Sequence, residues 1–307
     1  MTRRRIALAA LVVLLAGFAM VWIAGSIRSR PHASTVPPPP PPGRVVHLVA
    51  GDGVAIAGSW WPASRPDAPA VLLVHGIDSS RASFTRHALW LNGLGYGVLA
   101  IDFRGHGESG AAARTFGLHE ARDAAAALAF LRAGNPARRI GLIGTSLGGA
   151  AALLGDAGPL PVQAMVLQAV YPDLRDAIFN RIAQRTGGVL ASLGEPLLSY
   201  QSWLRYGVSP ARLAPLEAIR RYRGPVLIIG GAADRSTPPA ETRALYEAAP
   251  GPKSLWLVEG IDHAAAGAIF TDDYRRRVRD LFARSLGEPA SAGRGSQPDQ
   301  PHVRHGP

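Results

Sequence analysis

Apolar residues in this chain form short runs that alternate with longer segments in which apolar positions recur at helical spacing. The short runs have the length of strands, and we expect strands at residues 45–49, 54–60, 71–74, 97–101, 140–143, 164–170, 225–229 and 254–258. The segments of helical spacing predict helices at residues 83–94, 118–133, 150–154, 239–249 and 271–285. Strands that alternate with helices indicate an α/β fold with a mostly parallel sheet. The first two runs, joined across a Gly-Asp-Gly turn, predict an antiparallel hairpin.

The first apolar segment of the chain is much longer than a strand. Residues 6–27 carry no charge, follow three arginines at residues 3–5, and precede Arg28 and Arg30. As a helix this segment would be about 33 Å long, enough to cross a bilayer. We therefore predict an N-terminal transmembrane signal anchor over residues 1–30; a cleaved signal peptide, with a secreted product, is the alternative. The cation excess before the span predicts an extracytoplasmic domain after it.

Two segments of biased composition delimit the domain. An unbroken proline run at residues 37–42 predicts a stiff spacer, so we assign residues 31–43 as a Pro-rich linker. Residues 287–307 are rich in Gly, Pro, Ser and Gln and predict a disordered tail. One α/β domain is then expected over residues 44–286.

Charge and cysteine content narrow the function classes. The chain has 33 Lys+Arg against 22 Asp+Glu, a net charge of +11, with Lys253 as its single lysine. The arginines are scattered, without a run of aromatics between them, so we expect no nucleic-acid partner. The absence of cysteine excludes a thiol nucleophile, a disulfide and a cysteine-ligated zinc. No motif predicts a metal site, a nucleotide site or another cofactor.

The most informative motif is Gly144-Thr145-Ser146-Leu147-Gly148. It lies between a predicted strand and a predicted helix, which is the context of a nucleophile elbow. The two glycines leave room where strand and helix approach, and the serine would occupy a strained turn. A glycine-rich turn with a bystander serine, or a phosphate-binding loop, is the alternative.

A serine hydroxyl is a weak nucleophile, so a base and an orienting acid are also required. Such groups lie on loops at the carboxyl ends of parallel strands. Asp234 follows the strand predicted at residues 225–229, and His263 follows the strand predicted at residues 254–258. The order serine, acid, histidine, each after a separate strand, is typical of α/β-hydrolases.

Two further motifs extend this match. Val74-His75-Gly76-Ile77 is similar to the oxyanion loop of that family, and residues 102–109, Asp-Phe-Arg-Gly-His-Gly-Glu-Ser, are similar to the turn after its fourth strand. Over roughly residues 45–285, the chain therefore resembles serine hydrolases of the α/β-hydrolase fold. The resemblance implies a mostly parallel central sheet flanked by helices, with a cap inserted after the sixth strand.

The resemblance also implies roles for particular residues. Ser146 would be the nucleophile, His263 the general base, and Asp234 the acid that orients the histidine ring. The backbone N–H groups of Ile77 and Leu147 would form the oxyanion hole. Asp262 and Asp102 compete with Asp234 for the acid role, although Asp262 is poorly placed to reach the ring of its own neighbour. For the other polar residues of these motifs we expect structural roles: Asp102, Arg104 and His106 in a turn, and His75 as a brace for the oxyanion loop.

Residues 171–222 are too long for an ordinary connection between strands. They contain many large apolar residues, and in this fold an insertion here resembles a cap over the active site. The apolar content indicates a hydrophobic or acyl substrate, although packing of the cap onto the core would also account for it.

These observations predict a serine hydrolase that cleaves carboxylic esters or related acyl bonds of a small-molecule or acyl substrate through an acyl-enzyme. Thioesterases, peptidases and acyltransferases use the same three residues, so these activities remain alternatives. An inactive hydrolase-fold protein, acting as an interaction module at the membrane, is the alternative from a different class. The oligomeric state is not predicted.

Overall fold

An eight-stranded sheet forms the centre of the computed structural model, which describes residues 3–287. Its strands are β1 Arg44–Val49, β2 Ala55–Trp61, β3 Ala70–Val74, β4 Gly97–Ile101, β5 Ile140–Thr145, β6 Ala164–Gln168, β7 Val226–Gly231 and β8 Lys253–Val258. Their spatial order is β8-β7-β6-β5-β3-β4-β2-β1. Strands β3 to β8 run parallel, whereas β2 is antiparallel to β1 and β4. The carboxyl ends of the parallel strands therefore meet at one edge of the sheet, called the carboxyl edge below.

Helices cover both faces of the sheet, and all of them except the N-terminal α1 follow strands of the sheet in sequence. They are α1 Arg3–Ser29, α2 Thr85–Gly93, α3 Glu120–Arg132, α4 Leu147–Leu153, α5 Leu174–Thr186, α6 Gly188–Ser199, α7 Gln201–Tyr206, α8 Pro215–Ile219, α9 Pro239–Ala248, α10 His263–Ala266 and α11 Asp272–Leu286. Single 3₁₀ turns lie at Arg81–Phe84 and Pro210–Arg212.

The apolar runs are strands because both of their faces are covered. All five residues of β3 have no exposed surface. Leu72 packs into one core with residues of α3 and α4, whereas Val71 and Leu73 pack into a second core with residues of α2 and α11. Successive side chains of a strand point to opposite faces, so a continuous apolar run can fill two cores at once.

The strands predicted from the sequence lie within two residues of those in the structure. The largest difference in an element boundary concerns α4, which we expected to begin at residue 150 and which begins at Leu147. The sequence between these positions contains Gly148 and Gly149, which have low helix propensity. Burial of the whole helix against the sheet overrides that propensity.

The predicted insertion after the sixth strand is a helical cap. Between β6 and β7 the chain forms α5, α6, α7 and α8. The sequence predicted the insertion but not its individual helices. Helices α5 and α6 pack against each other, and Arg175 of α5 is ion-paired with Glu195 of α6 at 2.9 Å.

The N-terminal helix α1 is long and apolar enough, by length and composition, to cross a membrane. Its C-terminal turns contact the cap. Gln201 donates a hydrogen bond from Nε2 to the carbonyl oxygen of Val21 at 3.0 Å. The guanidinium of Arg205 lies 4.0 Å from the ring centroid of Trp22 and donates to the carbonyl oxygen of Trp22 at 3.0 Å.

The Pro-rich linker, predicted as a stiff spacer, packs along the domain. His32–Ala33 pairs in parallel with His106–Gly107, and Val36 is only 5% exposed. The indole N–H of Trp61 donates to the carbonyl oxygen of Pro40 at 3.0 Å. Proline lacks a backbone donor, but its carbonyl oxygen still accepts. The tail predicted as disordered lies outside the described residues, apart from Gly287.

Candidate active site

Ser146 lies at the sharp turn between β5 and α4, at the carboxyl edge. Its backbone has φ +48° and ψ −109°, a region that is unfavourable for a residue with a side chain. The surrounding glycines make this turn possible. A Cβ at Gly148 would lie 2.2 Å from the carbonyl oxygen of Val74, and a Cβ at Gly144 would lie 2.8 Å from the nitrogen of Gly149. Close packing of α4 against β3 and β5 therefore holds the Ser146 side chain at the edge of the sheet.

The structure brings Asp234 and His263 to the same place. His263 Nε2 lies 3.4 Å from Ser146 Oγ, and His263 Nδ1 lies 2.8 Å from Asp234 Oδ2. The second oxygen of Asp234 accepts hydrogen bonds from the backbone N–H groups of Ser236 and Thr237, both at 2.8 Å. The Asp234 carboxylate is thus held on one side by its own loop and faces the imidazole on the other.

The two competing aspartates have other partners. Asp262 Oδ1 accepts from the N–H of Ala265 at 2.9 Å and caps α10. Asp102 is fully buried, accepts from the backbone N–H of Arg81 at 2.6 Å, and is ion-paired with the Arg81 guanidinium. Neither carboxylate is hydrogen-bonded to His263. The role of Arg81, itself 1% exposed, was not found from the sequence, since no motif marks it.

The turn after β4 is a structural unit. Arg104 is hydrogen-bonded to the carboxylates of Asp123 and Asp52, and the bond from Arg104 lowers the pKa of Asp52. His106 donates from Nδ1 to the carbonyl oxygen of Arg104 at 3.0 Å. This network joins the turn to α3 and to the hairpin of β1 and β2.

The loop after β3 lies directly beside Ser146. A Cβ built on Gly76 would be 3.7 Å from the Cβ of Ser146, and the next residue but one, Asp78, has a positive φ of 56°. The N–H groups of Ile77 and Leu147 have no acceptor among residues 3–287. Leu147 begins α4, whose first N–H groups lack partners within the helix. Both donors are therefore available to a ligand.

His75 connects this loop to the turn after β4. Its Nε2 accepts from the N–H of Phe103 at 3.1 Å, so Nδ1 carries the proton and donates to the carbonyl oxygen of Gly76 at 2.6 Å. Burial lowers the pKa of His75 to about 3. The ring is therefore neutral at physiological pH and acts as a fixed link.

Ser146 and His263 line a cavity of about 600 Å³ below the cap. Arg181, Gln184 and Arg185 of α5 line the opposite side, and Arg28 at the end of α1 completes the wall. Sequence reasoning did not assign these residues to the site. The spacing of Arg181 and Arg185, one helical turn apart, was the available signal. Within the described range, no three His, Asp or Glu side chains are grouped to hold a metal ion.

Comparisons with known proteins identify the family and support the fold. The model of the Alpha/beta hydrolase family matches residues 71–281. A protein of Mycobacterium tuberculosis, Rv2307c, is 30% identical over 287 residues, which cover 89% of this chain and 94% of the relative. The Bacillus subtilis protein YqkD is 29% identical over 217 residues, covering 69% and 70% of the two chains.

Among solved structures, the Pyrococcus furiosus esterase Pf2001 superposes with a TM-score of 0.65 at 24% identity, covering 84% of this chain and 99% of that one. This likeness shows the same fold. The family model includes the strands β3 to β8, the serine turn and the loops that carry Asp234 and His263. With a parallel sheet, a serine at the strand-to-helix turn and a cap after the sixth strand of that sheet, the chain belongs to the α/β-hydrolase family.

Proposed function

We propose that this protein is a serine hydrolase that cleaves carboxylic esters through an acyl-enzyme. The observation that carries the proposal is the contact chain from Ser146 Oγ through His263 to the buried Asp234 carboxylate, beside the two unpaired N–H groups. The distance of 3.4 Å between Ser146 Oγ and His263 Nε2 is long for a hydrogen bond. Such contacts often shorten only when substrate is bound.

The proposed reaction begins with attack of Ser146 Oγ on the ester carbonyl carbon while His263 Nε2 takes the hydroxyl proton. The carbonyl oxygen becomes an oxyanion, to which the N–H groups of Ile77 and Leu147 donate. Asp234 accepts from His263 Nδ1–H, which selects the tautomer with a free Nε2 and stabilises the imidazolium. The C–O bond then breaks, and His263 protonates the departing alcohol. In the second half of the reaction, water activated by His263 attacks the acyl-enzyme and releases the carboxylic acid.

We also propose a domain organisation for this function. Residues 1–30 anchor the protein in a membrane, residues 31–43 link the anchor to the domain, and residues 44–286 form the hydrolase, with residues 171–222 as its cap. The domain lies on the extracytoplasmic side. Its substrate is a small molecule with an apolar acyl group, consistent with the esterases that share the fold.

A fluorophosphonate, which reacts with activated serines, tests the proposal. The full chain should react and should hydrolyse p-nitrophenyl butyrate. Ser146→Ala should lose labelling and about 10⁶-fold in kcat, with an unchanged circular dichroism spectrum. Labelling that persists in Ser146→Ala would place the nucleophile elsewhere, and an unreactive wild-type chain would favour the inactive interaction module. Matched thioester and amide substrates distinguish the ester from the other acyl bonds.

A further inference from the structure

Helices α6 and α7 of the cap are apolar on the side that faces away from the domain. Their large apolar residues recur at intervals of three and four, so they lie on one side of the helical segment. Each is more than half exposed. We call this surface the outer cap face, and it consists of Leu190, Leu193, Leu197, Tyr200, Trp203 and Leu204.

The opposite side of the same segment is buried and largely polar. Ala191, Glu195, Ser199 and Ser202 have little or no exposed surface, and Glu195 is paired with Arg175. A helix on the surface of a protein in water places its apolar residues towards the core. Here the arrangement is reversed, which indicates that the outer cap face contacts an apolar environment.

Helix α1 is long and apolar enough to cross a membrane, so the apolar environment that we infer for this face is a lipid bilayer. The cap contacts α1 at Val21 and Trp22, near the C-terminal end of its uncharged run. Val21 precedes Ile27 by six residues, or about 9 Å along a helix. Helices that lie in the membrane interface are buried to a depth of about 5–10 Å. If α1 crosses the bilayer, these contacts, made by Gln201 and Arg205 of α7, place the adjoining outer cap face near this depth. Trp22, Tyr200 and Trp203 would then lie at the interface, where aromatic residues are enriched.

A second cavity lies behind these helices. It has a volume of about 500 Å³, and its walls are the end of α1, helix α5 and parts of α6 and α7. Its apolar lining includes Ile27, Phe116, Leu174, Ile178 and Leu198. Ile77, the residue assigned to the oxyanion hole, lines both this cavity and the one that contains Ser146. The two cavities therefore adjoin at the proposed reaction centre.

The junction of the two cavities is cationic. Arg28, Arg181 and Arg185 line both of them. Arg28 has a distant partner in Asp78, at 3.9 Å, and neither Arg181 nor Arg185 forms an ion pair with another described residue. An apolar cavity that opens onto unpaired guanidinium groups matches a molecule with an acyl chain and an anionic group.

We propose that the outer cap face is embedded in the bilayer that α1 crosses, and that the second cavity takes the acyl chain of an anionic membrane lipid from it. The ester carbonyl of that lipid would then reach Ser146 while its acidic headgroup contacts the arginines. Hydrolysis consumes one water and releases a fatty acid and the de-acylated lipid, which leaves as an alcohol and keeps its anionic headgroup. This inference rests on the serine chemistry proposed above and adds the substrate class and its route of entry.

The chain contains no cysteine, so a single introduced cysteine reports the position of the outer cap face. Leu193→Cys in the full chain, reconstituted in phosphatidylcholine vesicles, carries an environment-sensitive fluorophore. The label should be quenched by spin-labelled lipid and protected from aqueous iodide. Ser64→Cys is the control, because Ser64 is exposed in the loop before β3, at the opposite edge of the sheet. Equal iodide quenching at both positions would overturn the proposal. Protection of the label at position 193 from both quenchers would also overturn it, because it would indicate that a protein partner covers the face.

A cavity-filling variant tests the acyl site. Ile178→Trp should lower the ratio of activity on p-nitrophenyl palmitate to that on the butyrate by about tenfold or more, since a pocket discriminates by chain fit. Val49→Trp, on an exposed position of β1, should leave the ratio unchanged. If Ile178→Trp does not fold, Leu198→Phe makes the same measurement with a smaller added volume. An unchanged ratio in the folded variant contradicts the acyl site, whereas a wild-type chain inactive on both esters contradicts the serine chemistry instead.

The headgroup is tested with vesicles of phosphatidylglycerol and phosphatidylcholine that carry identical acyl chains. The wild type should hydrolyse the anionic lipid about tenfold faster or more, and Arg185→Gln should reduce this preference. Arg138→Gln, which removes an arginine from the loop before β5, at the opposite edge of the sheet, is the control and should keep it. Equal rates on the two lipids in the wild type would contradict the anionic substrate.

Discussion

Asp234 and Asp262 are both close to His263 in this fold, and their backbones decide which carboxylate contacts the ring. Asp262 immediately precedes the histidine, and its side chain turns back to cap α10. Asp234 comes from a different loop and approaches Nδ1 to 2.8 Å. Two residues of the same type thus have different contacts, because only one of them faces the ring.

We therefore expect Asp234→Asn and Asp262→Asn to differ sharply. Asparagine at position 234 would stabilise the wrong histidine tautomer and cost about 10⁴ in kcat. Asparagine at position 262 can still cap the helix, so kcat should change little. Both values are measured on p-nitrophenyl butyrate. A severe loss at position 262 with a mild one at position 234 would show that Asp234 is not the acid.

His87 gives a test of stability against pH. It packs among Phe84, Phe270 and Tyr274, and burial lowers its pKa from 6.5 to about 4, with the nearby Arg86 acting in the same direction. The unfolded chain therefore binds more protons than the folded chain between these values. The contribution of neutral His87 to the free energy of unfolding is complete above pH 6.5 and is lost as the pH falls towards 4.

His87→Phe should make the free energy of unfolding less dependent on pH in that window, by up to about 1.4 kcal/mol per pH unit. Phenylalanine retains the aromatic packing and removes the group that titrates. Urea unfolding of both proteins at neutral and mildly acidic pH measures the slopes. His75, whose pKa is lowered in the same direction, is retained in both proteins and serves as the internal reference. Identical slopes would show that His87 is not buried in its neutral form.

Among the elements, the linker is the one whose observed packing adds most to what the sequence predicts. Its proline run predicts a stiff spacer, and the structure adds that this spacer lies against β2 and the turn after β4. Val36 is inserted into the domain surface, and burial of a valine stabilises a fold by about 1.5–3 kcal/mol. The folded unit therefore begins before residue 44.

A truncated chain that begins at Pro31 should consequently be more stable than one that begins at Gly43. We expect the difference in free energy of unfolding to be about 1.5–3 kcal/mol, from Val36 alone. Urea titrations followed by tryptophan fluorescence measure it, because Trp61 contacts the linker. Coincident transitions would show that the linker does not stabilise the domain.

At the scale of the whole molecule, most of the large apolar residues that are exposed within the described range lie on α1 and on the cap helices α6 and α7. The proposed anchor predicts that the full chain remains with membranes after washing with high salt or carbonate. Salt releases attachment that depends only on surface charge, so it distinguishes the span from binding through the arginines at residues 3–5. Recovery of a soluble chain that lacks residues up to about Ser26 would instead establish cleavage of a signal peptide.

Orientation is a separate measurement on the same membranes. The arginines that precede the span predict an N-terminus on the cytoplasmic side, so protease added to spheroplasts should digest the domain. Protection until the membrane is disrupted would reverse the orientation.

The sequence by itself determined the order of the sheet strands and of the helices between them outside the cap, the serine turn, and the loops that carry Asp234 and His263. These features follow from local patterns. A continuous apolar run is a strand with two covered faces, and glycines such as Gly144 and Gly148 mark a turn that only they can form. For the same reason the position of Ser146 could be predicted without knowledge of any contact.

Only the tertiary structure decided which aspartate contacts His263 and which group neutralises the buried Asp102, namely Arg81. It also showed that the linker packs on the domain and that Arg28 and Arg181 line the same cavity. Each of these involves residues far apart in the chain, and local propensity contains no information about such pairs. The outer cap face shows the physical reason most clearly. Spacing in the sequence specifies that Leu193 and Leu197 share a side of a helix, but not whether that side meets a protein core or a membrane.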